Sequence, residues 1–492
     1  MSMIQISHLT FGYTGSAELI FEDLNLQLDT TWRLGLIGRN GRGKTTLLRL
    51  LQGELPSGGA ISGVPATALF PQRPPAPGML TVHALEELCP EAEEWQVVRE
   101  LHTIGLSEAL WRPFDTLSGG EQTRSLLAAL FLTEGVYPLI DEPTNHLDEA
   151  GRRLVAEYLK GKDGFLLVSH DRAFLDGCVD HVLSIERSKV RLQRGNYTQW
   201  QAEKDREDGY ERGENERLRK DIRHLEEAAR RSANWSDRVE RTKYAAKNAG
   251  LKPDRGYVGH KAAKMMARSK AIEGRRNRAI EEKSALLKNI ERVDSLKLTP
   301  LRHHQEVLAE GRELCLLRHG EVICGPLGFT VRQGERIALT GPNGCGKSTL
   351  LRALTGEEGI EHTGTLRLAS GLILSVVPQE TEQLRGPLEE LIAESGAEES
   401  FFKALLVKLG FTPAQFGRDM AGYSAGQRKK VYIARSLCQR AHLYLWDEPL
   451  NYVDLPARIQ IEELLLQCAP TLLFVEHDGA FREKVATGEI AL

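Results

Sequence analysis

Apolar residues along this chain follow two rhythms. Short runs such as RLGLIG at 33–38, VYPLID at 136–141 and FLLVSH at 165–170 are almost continuously apolar, the pattern of strands buried on both faces. Other stretches, such as TTLLRLLQG at 45–53, carry apolar residues at helical spacing and end at a glycine. Strands alternating with helices predict an α/β fold built on a mostly parallel sheet. The strand pattern returns late in the chain as LYLWDE at 443–448 and TLLFVEHD at 471–478.

The middle of the chain reads differently. From 204 to about 245 nearly every residue is a helix former, and Leu218, Ile222, Leu225 and Ala229 mark a two-helix seam. Gly250, Pro253, Gly256 and Gly259 interrupt it. Helix formers then resume to about 298, with Ile280, Leu287 and Ile290 as a second seam. Helix, glycine-rich tip and helix predict an antiparallel hairpin. An arm of about 40 residues would reach ~60 Å at 1.5 Å per residue.

The flanking segments are copies of one another. GRNGRGKTT at 38–46 recurs as GPNGCGKST at 341–349, and FPQ at 70–72 as VPQ at 377–379. LSGGEQ at 117–122 recurs as YSAGQR at 423–428, LIDEPTNHLD at 139–148 as LWDEPLNYVD at 445–454, and LVSHD at 167–171 as FVEHD at 474–478. The order is kept and the offset stays between 303 and 307. The expected organisation is one domain at 1–200, a helical linker at 201–300 and a second domain at 301–492.

Composition narrows the classes. In 492 residues, 41% are hydrophobic and 27% charged, which supplies two ordinary globular cores. There is no apolar run of ~18 residues of the kind that spans a bilayer. The first residues lack the pattern of a signal peptide. The seven cysteines are scattered singly, which fits a reducing, cytoplasmic setting and excludes a disulfide framework. Net charge is −4, but residues 241–280 hold twelve Lys/Arg and two acids, or +10, which leaves −14 for the rest. An acidic body with one basic prong is the footprint of a nucleic-acid partner. Tyr244, Tyr257, Met265 and Met266 within the prong favour RNA, whose splayed bases take stacking and apolar contacts.

Both copies carry the pattern G-x-x-x-x-G-K-[ST]. Glycines let successive backbone N–H groups curl around a triphosphate, at a helix N-terminus that favours anions. The first loop comprises Gly38, Arg39, Asn40, Gly41, Arg42, Gly43, Lys44, Thr45 and Thr46. The second comprises Gly341, Pro342, Asn343, Gly344, Cys345, Gly346, Lys347, Ser348 and Thr349. Lys44 and Lys347 would reach the β- and γ-phosphates of ATP. Thr45, Gln72 and Asp141 are the first set of candidate Mg²⁺ ligands; Ser348, Gln379 and Asp447 are the second. Glu142 and Glu448 would polarise an attacking water, and His170 and His477 would reach the γ-phosphate.

With LSGGE added, the motif set resembles the ATP-binding cassette (ABC) superfamily. In that superfamily the signature motif of one cassette closes over the nucleotide of the other. The resemblance implies that Ser424 and Gly426 complete the first site, and that Ser118, Gly119 and Gly120 complete the second. Tyr13 stands where an adenine-stacking aromatic is expected. The matching stretch CLLRHGE at 315–321 has no aromatic. Ala425 replaces a signature glycine and Glu476 replaces the serine before the histidine, so unequal hydrolysis at the two sites is expected.

Two cassettes without a membrane domain, the sequence EPTNHLD at 142–148 and the charged linker together resemble the ABC-F branch of translation factors and ribosome protection proteins. GYVGHKAAKMMARSK at 256–270 is similar to the linker of its antibiotic-resistance members, the Lsa/VmlR type. This resemblance implies a monomer with intramolecular cassette pairing. The partner would be the ribosome, through rRNA and tRNA, and the linker tip would reach toward the peptidyl-transferase centre. The RNA-binding candidates are Lys243, Lys247, Lys252, Arg255, Tyr257, Lys261, Lys264, Arg268 and Lys270. Rival readings are a housekeeping ABC-F translation factor, a transporter-associated ATPase and a DNA-repair ATPase.

Overall fold

The computed structural model describes residues 3–13, 19–72, 75–145, 147–185, 190–207, scattered positions from 209 to 227, and 300–492. The chain forms two compact units, Met1–Trp200 with Ser295–Leu492, and Gln201–Asp294. The first unit contains both copies of the repeat.

In the first copy, six described strands form one sheet. Their order is Ala66–Phe70, Val136–Asp141, Phe165–Val168, Arg33–Gly38, His181–Ile185 and Val190–Arg194. All neighbours run parallel except the last pair. The second copy gives Leu374–Val377, Leu443–Asp447, Leu472–Val475, Arg336–Thr340 and Gly488–Ala491, all parallel. The expected parallel α/β fold is therefore present twice.

The apolar runs are explained by burial on both sheet faces. Leu166 packs with Leu34, Leu36 and Leu47 on one face. Its neighbour Leu167 packs with Ile37, Ile140 and Phe174 on the other. A three-stranded antiparallel sheet, Phe21–Asp29, Met3–Phe11 and Gly58–Ser62, covers the first of these cores. Its counterpart is Glu321–Arg332, Val307–Arg318 and Glu361–Leu368. Neither antiparallel sheet is among the elements the apolar runs predict. The alternation of Ile4, Ile6, Leu9 and Phe11 as buried residues in MIQISHLTF was the available signal.

One brace is repeated in both copies. Arg152 donates to Leu147 O at 3.0 Å and to Asp171 Oδ2 at 2.8 Å. Arg458 donates to Val453 O at 2.9 Å, Leu450 O at 2.9 Å and Asp478 Oδ2 at 3.0 Å. Each guanidinium thus ties the loop after the acidic strand to the residue following the site histidine. Lysine would keep the charge beside Asp478 and lose the planar fork. Arg458→Lys is expected to lower stability by about 1–2 kcal/mol, one or two net hydrogen bonds. Chemical denaturation checks this; an unchanged midpoint would show that the fork contributes nothing.

In the second unit, the described residues of 201–227 are helical. Leu218 and Ile222 are half-buried, whereas Arg217, Lys220, Asp221 and Arg223 are exposed, as a helical seam requires. The glycine-rich tip, the basic segment with Lys243 to Lys270, and the returning helix all lie outside the described residues.

Candidate nucleotide sites

The first glycine loop joins the strand Arg33–Gly38 to the helix Lys44–Leu51. Gly43 caps that helix at φ 95, and Gly41 has φ 78. A side chain on Gly43 would put Cβ 2.4 Å from Ile20, so the loop needs glycine there for both backbone and space. Lys44 folds over the loop, with Nζ donating to Gly38 O at 2.8 Å and Asn40 Oδ1 at 3.1 Å. Thr45 Oγ1 lies 3.0 Å from Asp141 Oδ2, at the end of the strand Val136–Asp141. These are hard oxygen donors of the kind Mg²⁺ takes.

Glu142 follows at φ 50, a left-handed conformation costly for a residue with a Cβ. Its N–H bonds to Val168 O at 2.9 Å, which fixes the turn and aims the carboxylate into the cavity. Glu142 Oε1 lies 3.3 Å from His170 Nε2. That nitrogen is also 3.1 Å from Asn40 Oδ1, which only accepts, so the His170 proton belongs on Nε2. Burial pushes the Glu142 carboxyl up to about 7 against the pull of the Lys44 ammonium. Burial, with the Lys44 and Arg458 charges, holds His170 well below its usual range. Gln72 Oε1, Glu142 Oε1 and His170 Nδ1 are buried with no hydrogen-bond partner among the described residues. Buried polar atoms are normally paired, so this set fits a polar ligand with its own donors and acceptors.

The second copy closes this site. Asn40 N–H donates to Asp454 Oδ2 at 3.1 Å, and Asn40 Nδ2 donates to Tyr452 O at 2.9 Å. Asp454 also takes Lys430 Nζ at 2.6 Å, and the burial cost of its charge is outweighed so that its carboxyl is held far below the usual range. A cavity of about 910 Å³ is lined by Tyr13, Lys44, Gln72, Asp141, Glu142 and His170 of the first copy, and by Ser424, Ala425 and Gly426 of the second. Tyr13 stands edge-on to Phe11 at 5.1 Å and its hydroxyl lies 3.1 Å from Thr46 Oγ1. Tyr13 is 43% exposed, which leaves ring surface for a base.

The second site is built from the same parts with different contacts. Gly344 and Gly346 have φ 81 and 98, and Gly346 caps the helix Lys347–Thr355. Lys347 Nζ donates to Gly341 O and Pro342 O, both at 2.8 Å. Glu448 repeats the left-handed turn at φ 45, with its N–H on Val475 O at 3.0 Å. Its carboxylate takes Asn451 Nδ2 at 2.5 Å and lies 3.7 Å from His477 Nε2. Burial raises its pKa, but bonds from His477 and Gln379 and the nearby Lys429 charge outweigh this and hold Glu448 below the usual range. Asp447 bonds Ser348, and burial still pushes its carboxyl up. Lys429 is buried here and donates to Pro378 O at 2.7 Å, Gln379 O at 3.2 Å and Asp447 O at 3.0 Å.

The sites differ in how the opposite copy meets them. The second cavity is about 350 Å³ and includes Gly341, Pro342, Lys347, Glu476 and His477. From the first copy it takes Asp148, Glu149, Ala150 and Arg153, with Glu149 paired to Arg482 at 2.5 Å. Ser118, Gly119 and Gly120 are not in its lining, and Gly119 faces the first cavity instead. Ser118 caps its own helix, Gly119–Leu132, as Ser424 caps Ala425–Cys438. The hairpin at CLLRHGE turns at His319 and Gly320, both with positive φ, and leaves no loop to present an aromatic. Sequence reasoning missed Tyr452, Asp454, Lys430 and Lys429. The first two sit inside the repeated DEPLNYVD motif, and the lysines align with Arg124 and Thr123 at the offset of 306.

Known proteins can be compared with this geometry. The family model described as ABC transporter matches residues 21–145 and 324–451, about half of the chain. The ribosome protection protein VmlR of Bacillus subtilis is 29% identical over 98% of this chain and 85% of its own length. The erythromycin resistance ATP-binding protein MsrA of Staphylococcus epidermidis is 28% identical over 92% of this chain and 90% of its own length. The archaeal ribosome recycling factor aABCE1, solved with the stalk protein aP1, shares the fold. Its TM-score is 0.64 at 21% identity, over 98% of this chain and 87% of that one. No helix among the described residues is long and apolar enough to cross a membrane. The chain belongs to the ABC transporter family, as a tandem pair of ATP-binding cassettes similar over nearly its whole length to the ribosome protection protein VmlR and the erythromycin resistance protein MsrA.

Proposed function

We propose that this chain is a cytoplasmic, ribosome-associated ATPase whose linker tip reaches toward the peptidyl-transferase centre and protects the ribosome from bound antibiotics. The observation that carries the ATPase reading is the composite first cavity, where the glycine loop, Asp141, Glu142 and His170 of one cassette face Ser424 and Gly426 of the other. ATP with Mg²⁺ would supply there the charged phosphates and the cation. Lys44 and the loop N–H groups hold the phosphates, Thr45, Gln72 and Asp141 hold the cation, and Glu142 orients and polarises the attacking water. His170 takes the γ-phosphate side, and Tyr13 takes the base. The second site has the matching half in Lys347, Ser348, Gln379, Asp447, Glu448 and His477. It is completed when Ser118, Gly119 and Gly120 approach it. The chain acts as a monomer, because each cassette finds its partner in the other.

The ribosome reading rests on the +10 segment at 241–280 and on similarity to relatives named for ribosome protection and erythromycin resistance. Lys243, Lys247, Lys252, Arg255, Lys261, Lys264, Arg268 and Lys270 would meet rRNA phosphates, and tRNA is the second candidate contact. Tyr257 is the aromatic among the glycines of the tip. Tyr257→Ala is expected to leave ATP turnover and ribosome co-sedimentation unchanged and to lower drug protection about tenfold, the loss of one stacked contact. The measurement is the minimum inhibitory concentration of a lincosamide and a pleuromutilin at matched expression. Full protection by the variant removes Tyr257 from the mechanism. Absence of protection by the wild type against ribosomal drugs favours a housekeeping translation factor.

A further inference from the structure

The two cassettes differ at two buried positions beside their acidic strand ends. Thr123 of the first cassette aligns with Lys429 of the second, and Ser169 with Glu476. Lys429 is 1% exposed. Its ammonium joins the glutamine loop, through Pro378 O and Gln379 O, to the end of the strand Leu443–Asp447, through Asp447 O. Glu476 works from the other side. Its carboxylate accepts from Leu450 N at 3.1 Å, His477 N at 2.8 Å and Asp478 N at 3.3 Å. It thereby joins the loop after the acidic pair to the histidine loop.

In the first cassette Thr123 has no charged head to join the glutamine loop to the strand end, and Ser169 makes only a weaker, uncharged form of the Glu476 tie. Ser169 Oγ reaches Asp171 N at 3.2 Å and lies 3.5 Å from Thr144 Oγ1, and Thr123 lines the cavity. There Gln72 Oε1 has no hydrogen-bond partner among the described residues and Glu142 Oε1 has only the 3.3 Å approach of His170 Nε2, whereas in the second cassette Glu448 is hydrogen-bonded to Asn451 and Asp447 Oδ1 is the unpaired oxygen.

We propose that Lys429 is a positioning residue that pins the glutamine loop of the second cassette to its acidic strand end, so that this site is pre-assembled and retains nucleotide longer than the first. Glu476 supplies the opposite charge and the opposite tie. Binding to a loop already held in place costs less ordering, which strengthens binding and slows release. The two sites then divide the work. The first orders its glutamine loop and carboxylate only around nucleotide and releases product quickly, while the second holds nucleotide through several such cycles. The retention part of this inference rests on the ATPase reading above; the pin does not.

The test uses the full chain. Hydrogen exchange without nucleotide is followed in peptides covering 374–382 and 66–72, for wild type, Lys429→Thr and Lys429→Met. The methionine variant keeps the apolar stem and guards against a general packing defect. Exchange in 374–382 is expected to rise about tenfold in both variants, with 66–72 unchanged. Unchanged exchange in 374–382 overturns the pin. Release of a fluorescent ATP analogue with Mg²⁺ is then timed in a Lys44→Ala background, which reports the second site, and in a Lys347→Ala background, which reports the first. Lys429→Thr is expected to speed release about tenfold in the former alone. Equal acceleration at both sites, or none, overturns the retention role. If Lys44→Ala protein binds no analogue although its exchange still depends on Lys429, the nucleotide reading falls and the pin stands.

Discussion

Replacing Glu142 and Glu448 together with glutamine is expected to reduce ATP turnover by roughly 10²–10⁴-fold, the contribution of a positioned general base, while ATP binding is retained. Each glutamate sits at positive φ on a turn whose N–H is bonded to the neighbouring strand, so glutamine can take the same backbone and volume. The proposed phosphate ligands Lys44 and Lys347 and the oxygen donors Thr45, Asp141, Ser348 and Asp447 are left unchanged. In the proposed mechanism, what is lost is the charge that would polarise water. The double variant should therefore load nucleotide and stay closed, persist on ribosomes and inhibit translation. Single variants should differ, because Glu142 Oε1 has only the 3.3 Å approach of His170 Nε2 while Glu448 is hydrogen-bonded to Asn451. Turnover measured under saturating ATP, with binding measured separately, decides the matter. Turnover of the double variant near wild type would remove both carboxylates from the mechanism.

The repeated motifs were legible because their chemistry demands fixed residue types at fixed backbone geometry. Gly43 and Gly346 must be glycine at φ 95 and 98, and Asp141 and Asp447 must end strands beside the glycine loops. The apolar runs gave the parallel strands for a similar reason, since both faces of each sheet are covered. Other features depend on which surfaces meet in three dimensions. Nothing in the local pattern of NYVD shows that Tyr452 O and Asp454 would hold Asn40, a residue 412 and 414 positions away. The aligned offsets exposed Lys429 against Thr123 and Glu476 against Ser169 as changes of residue. That they are buried ties between loops could be read only from their surroundings. Likewise, the signature residues Ser118, Gly119 and Gly120 look equivalent to Ser424, Ala425 and Gly426 in sequence. The two cavities nevertheless meet the opposite cassette through different segments.

Gly426→Val tests the closure of the first site at its tightest point. A Cβ at Gly426 would stand 2.2 Å from Tyr452 O and 3.1 Å from Asn40 Nδ2. The first of these is backbone, and the Asn40 amide is fixed by its bonds with Lys44 Nζ and Tyr452 O, so neither can swing aside as a long side chain would. Either the loop of Tyr452, already at φ 63, must move, or the signature helix must back away from the first glycine loop. Moving the loop disturbs Asp454, whose bond to Asn40 joins the cassettes and whose bond to Lys430 anchors it within the second. Overpacking of this kind costs about 3 kcal/mol, which corresponds to about a hundredfold in the closing equilibrium and in hydrolysis at the first site. Gly422→Ala is the control, because a Cβ there meets nothing within 4 Å. In the Glu142→Gln, Glu448→Gln background, Gly426→Val should also fail to trap Mg-ATP at the first site, which separates loss of closure from loss of chemistry. Wild-type turnover and trapping by Gly426→Val would mean that the signature of the second cassette does not close over the first glycine loop during hydrolysis.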